Sequence, residues 1–163
     1  MDTLGGLPAH PLMVHIPVAL VPLAMLGVVV MAFRRSWFER LWVAVSVVVG
    51  IALAGTLLAA GSGEELEEGI RASGQTISTA LREHAEMGEG AETAVAVFAG
   101  LLGVWAAAAW WMRRVGDERA AAVVRRPALV HTLLAVATVA GAVVATVVVY
   151  RVGHSGATSV WGG

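Results

Sequence analysis

The chain contains no cysteine and no lysine among its 163 residues, and only 14% of it is charged. Without cysteine there can be no disulfide, thiolate-bound zinc, iron–sulfur cluster or c-type haem attachment. A net charge of −1 exerts no overall pull on nucleic acid, so no nucleic-acid partner is expected. What fills the space is apolar, 58% of the residues, where a soluble domain carries nearer half. That excess is gathered into four unbroken runs, which excludes both disorder and a soluble enzyme of ordinary composition.

The runs cover residues 12–33, 41–60, 94–112 and 128–150, and none contains Asp, Glu or Arg. A hydrocarbon core about 30 Å thick takes about 20 helical residues. In lipid each backbone amide must bond within its own segment, so all four are expected to be helices. The predicted fold class is therefore all-α, an integral membrane bundle of four transmembrane helices forming one domain over residues 1–163. Residues 61–92 are expected as an outer acidic loop holding at most a short helix in "EELEEGIRA", with helical pattern resuming near Ile77.

Charge sets the expected sidedness. Arg34, Arg35 and Arg40 follow the first run, and Arg113, Arg114, Arg119, Arg125 and Arg126 follow the third. Residues 61–92 instead hold eight glutamates against Arg71 and Arg82. Arginine-rich turns belong in the cytoplasm, which puts both termini and the acidic segment outside. Trp37, Trp42, Trp110 and Trp111 flank the same turns, as an interfacial aromatic belt does. No basic residue precedes the first run, and the run is longer than a signal-peptide core, so it is expected to be a retained anchor. The expected location is a bacterial plasma membrane, crossed several times.

Five histidines stand out, because an imidazole in or beside a membrane helix needs a partner and is a functional candidate. His10 and His15 open the first span, His84 leads into the third, and His154 follows the fourth. Four of the five thus share the outer face. His131 sits alone near the inner end and is expected to be purely structural. Pro8, Pro11 and Pro17 around "HPLMVHIP", and the glycines of "GHSGA", permit broken helix ends and close backbone approach.

"LPAHPLMVHIPVALVPLA" resembles HPxxVHFPIAL, the opening of the bacterial membrane proteins grouped as domain of unknown function 2231. "REHAEMGE" is similar to that family's entry to its third helix, and "VGHSGATSVW" to its ending. Ile16, Ala157 and Trp161 are mild departures from the pattern. The resemblance covers essentially the whole chain and implies four membrane helices. Relatives joined to Rieske-type or cytochrome c-type domains imply redox work.

Three readings follow. The first is a membrane electron-transfer module carrying b-type haem, with His15 and His84 as axial ligands at one depth of the bundle. Arg82 or Arg71 would then pair with the propionates, and Met87 is an outside candidate as a softer ligand. The second is a zinc or copper site built from His84, His10, His15 and His154 with nearby carboxylates. The third is a non-catalytic accessory subunit of a larger redox or transport complex, with small residues in "GIALAGTLLAAG" admitting close helix packing. No HExxH pair, Walker loop or nucleophile elbow occurs, since "HAEMG" lacks a second histidine and "GHSGATS" follows no strand. A stand-alone transporter is disfavoured, because no acid or base stands near the middle of any run.

Overall fold

The computed structural model describes the backbone of residues 3–4, 7–77 and 79–161. The side chains of residues 3–12, 66, 80, 117, 121 and 156–161 lie outside that description. Five helices account for nearly all of it: α1 Ala9–Phe33, α2 Arg35–Ala72, α3 Thr79–Val115, α4 Asp117–Val123 and α5 Pro127–Trp161. A two-residue antiparallel ladder, Thr3–Leu4 with Leu7–Pro8, precedes α1. Helices α1, α2, α3 and α5 are long and apolar enough to cross a membrane.

The four long helices form an up-and-down ring. α1 packs on α2 and α5, and α3 packs on α5 and α2, which leaves α1 diagonal to α3. Their buried residues repeat at alternating spacings of three and four. Val21, Ala24, Val28 and Met31 line the inner stripe of α1, and Val45, Val49, Ala52, Thr56 and Ala59 that of α2. Val95, Phe98, Leu102, Trp105 and Ala109 serve α3, while Ala135, Thr138, Ala142, Ala145 and Val149 serve α5. This is the register of helices crossing at about 20° with interdigitating side chains. Larger side chains such as Leu23, Leu26, Ile51, Leu58, Leu133 and Val136 point outward. Alanine inside with leucine, isoleucine and valine outside is the arrangement of a bundle that packs against lipid.

Local chemistry explains the ends and the contacts. One extended residue, Arg34, joins α1 to α2, with its carbonyl accepting from the amides of Trp37 and Phe38. Gly74, at φ 77°, follows the Ser73 cap of α2 in the left-handed region that glycine enters without strain. Gly55 lets α1 and α2 meet: a Cβ there would lie 2.8 Å from Ile16 Cβ. The buried Thr56 hydroxyl donates to the Ala52 carbonyl at 2.8 Å, and that of Thr138 to Leu134 at 2.7 Å. Both polar groups are satisfied within their own helix.

Three expectations need correction. Residues 61–72 are not a loop but the continuation of α2, while the helical pattern expected to resume near Ile77 does lead into span three, as the start of α3 at Thr79, so residues 73–78 alone separate the two helices. At 1.5 Å per residue α2 runs about 57 Å, nearly twice a hydrocarbon core. The acidic segment is therefore a helical hairpin continuing beyond the apolar belt. Second, α1 is unbroken through Pro17 and Pro22. Each proline lacks one amide hydrogen and leaves the carbonyl four residues earlier without its helical donor, but the helix continues. Third, α5 stays helical through "GHSGA" to Trp161. Gly153 there serves close packing, since a Cβ would sit 3.2 Å from Val18 Cγ2.

Candidate functional site

At the end of the bundle that carries both termini and the acidic hairpin, the four long helices enclose a cleft of about 150 Å³. On α2 it is lined by Thr56, Ala59, Ala60, Gly63, Glu64 and Glu67, and on α3 by Leu81, His84, Ala85, Gly88, Glu89, Ala91 and Glu92. α1 adds Val14, Pro17 and Val18, and α5 adds Val149, Val152 and Gly153. The positions on α2 and α3 recur at three, four and seven residues, the spacing of one helix face. His84 and Glu92 both line the cleft, separated by about 12 Å along α3.

His84 is held from behind. Its Nδ1 lies 3.0 Å from Ser155 Oγ on α5, and Ser155 Oγ donates its one proton to the Val152 carbonyl at 2.9 Å. With that proton on the carbonyl, the hydroxyl would accept from the ring, the tautomer that carries the imidazole proton on Nδ1. A neutral histidine so oriented is the form that ligates metals.

The other site candidates are distributed differently. His15 is exposed, on the outward stripe of α1 with Ala19, Leu23 and Leu26, while its neighbours Val14, Pro17 and Val18 face the cleft. His154 is also exposed, its ring stacked on Tyr150 at 6.1 Å between centroids. His10 stands in the first turn of α1, with its side chain outside the described residues. Arg82 is exposed and lies 3.5 Å from Glu86 one turn along α3, and Arg71 bonds Glu67 at 2.7 Å. Met87 does not line the cleft. Of the proposed ligands with described side chains, His84 alone enters it.

Sequence reasoning passed over several residues. Ser155 lies next to His154 in "GHSGA", but only α5's packing beside α3 carries it to His84. Glu92, counted only among the eight glutamates of the acidic segment, is half-buried in the cleft wall. His131, expected to be unremarkable, packs at the opposite end between Trp105 and Phe38, with centroids 5.4 and 5.6 Å away. Its Nε2 and the indole nitrogen of Trp105 are both buried without a hydrogen-bond partner among the described residues.

Together these features define a four-helix integral membrane bundle with, at one end, a largely apolar cleft that carries a histidine and four glutamates. Residues 6–163 match the family described as predicted membrane protein, domain of unknown function 2231, and the chain belongs to that family. No curated protein and no solved structure matches it.

Proposed function

We propose that this protein is a membrane-embedded cation-binding module, in which His84 Nε2 is the imidazole ligand and cleft carboxylates supply the charge. The observation that carries the reading is the His84 ring, held by Ser155 in a cleft that Glu64, Glu67, Glu89 and Glu92 also line. Imidazole with carboxylates suits Zn²⁺ or Cu²⁺. Among the described residues no three His, Asp or Glu side chains already stand at coordinating distance. Binding therefore needs rotation of the flexible glutamates or bridging water. The test is titration of detergent-purified protein with Zn²⁺ and with Cu²⁺ by calorimetry, backed by metal analysis. One equivalent per chain, lost in His84→Ala, supports the proposal. No saturable binding, or binding indifferent to that substitution, rejects it.

Electron transfer through b-type haem is the second reading, and it draws on the same oriented ring, since an axial ligand also needs a held imidazole. The residues fit it less well within one chain. His15 faces away from the cleft, Arg82 is already beside Glu86, and the walls carry carboxylates that would repel propionates. A Soret band abolished by His84→Ala would promote this reading and make a larger redox complex the partner to seek. For sidedness, the positive-inside bias supports a cytoplasmic arginine end, with the cleft opening outside a bacterial plasma membrane.

A further inference from the structure

The arginine end of the bundle is built differently from the acidic end. Arg71 and Arg82 each have a glutamate one turn away on their own helix. Of the eight arginines at the opposite end, all exposed, only Arg35 pairs with a carboxylate among the described residues, Glu39 at a loose 3.7 Å. Arg114 instead lies over the Trp110 ring, 4.9 Å from its centroid. The rest, Arg40, Arg113 and Arg119 among them, form no ion pair among the described residues.

The fold concentrates these charges beside lipid. Gly116, at φ 80°, turns the chain directly after α3, so that α4 packs back on α3 with Ala120 buried. Arg119 and Val123 are one turn apart on α4, both exposed, Val123 by 70%. Phe33 at 82% exposure, Trp37 and Trp110 are outward-facing neighbours of the same arginines in sequence. Exposed guanidinium groups, most of them with no ion pair among the described residues, thus border an exposed apolar rim, which is the level at which lipid phosphates meet acyl chains.

We infer that this rim is a binding surface for anionic phospholipid headgroups, with Arg113, Arg114 and Arg119 forking onto the phosphate and Val123 and Trp110 contacting the chains. Guanidinium matches phosphate in a bidentate geometry. Near an anionic surface each arginine contributes about fivefold in affinity. An acidic soluble protein would need a polar surface standing clear of the bilayer, whereas these arginines adjoin its apolar belt. The assignment is independent of the cleft at the other end.

The test is native mass spectrometry of the protein in neutral detergent, with phosphatidylglycerol and phosphatidylcholine at equal mole fraction. Phosphatidylglycerol adducts are expected to predominate about tenfold or more. The triple variant Arg113→Gln/Arg114→Gln/Arg119→Gln should bring the two lipids to parity, and Arg71→Gln/Arg82→Gln should leave the preference intact. Circular dichroism checks that each variant is folded, and if the triple variant is not, Arg119→Gln/Arg125→Gln replaces it, with a several-fold loss expected. Equal adducts for the wild type, or an undiminished preference in the folded arginine variant, overturns the inference. So does displacement by millimolar inorganic phosphate, which would make the ligand a free anion.

Discussion

Ser155 Oγ lies 3.0 Å from His84 Nδ1 and 2.9 Å from the Val152 carbonyl, and with its proton on that carbonyl it would hold the ring in the tautomer that ligates through Nε2. Ser155→Ala is therefore expected to weaken metal binding by about 10–100-fold while leaving the fold intact. His84→Ala should abolish it, and calorimetric titration separates the two. Equal affinity in wild type and Ser155→Ala would show that the hydroxyl does not orient the ring. His131 presents the opposite case, a buried Nε2 with no partner among the described residues, beside Trp105 and Phe38. Burying such an atom costs about 1–3 kcal/mol. His131→Phe, similar in shape and without the nitrogen, is expected to raise the melting temperature in detergent. A lower melting temperature would mean that Nε2 makes a bond that the fold depends on. His15 and His84 looked equivalent in the sequence because both stand at the same end of a span. One residue of helical rotation separates facing the cleft at Val14 from facing outward at His15, and proximity along the chain carries no information about that angle.

Helix length and helix contact belong to the next scale. α2 and α3 outlast their apolar stretches, and the acidic residues expected in a loop are held on helical faces that continue those of the spans. This continuation is what brings Glu64, Glu67, Glu89 and Glu92 to one cleft, Glu67 and Glu92 half-buried and Glu64 and Glu89 exposed at its rim. The joint between α1 and α2 rests on Gly55, where any side chain would meet the β-branched Ile16, with a Cβ 2.5 Å from Ile16 Cγ2. Gly55→Leu should separate the helices at a cost on the order of 1–3 kcal/mol, read as a lower melting temperature. It should also widen the cleft and weaken metal binding. Gly61, with nothing within 4 Å of an added Cβ, is the control position for a substitution to alanine.

At the scale of the molecule, an even number of long helices returns both termini to one end, opposite the arginines. Their natural lack of cysteine makes the proposed sidedness directly measurable. With Ser73→Cys at the acidic end, a membrane-impermeant maleimide is expected to label intact cells. With Ser36→Cys at the arginine end, labelling should require permeabilisation. The reverse pattern would invert the topology and open the cleft to the cytoplasm.

Four spans could be read without coordinates because a bilayer demands length and apolarity, and both are properties of a segment alone. Membership of the family was legible for the same reason: its motifs are contiguous. What tertiary structure decided was facing. In helices apolar all round no polar stripe marks the inside, so which residue meets its neighbours follows from packing one stripe of each helix against the two helices beside it. That packing turned His84 toward Ser155 and the glutamates, left His15 on the outer surface, and buried His131.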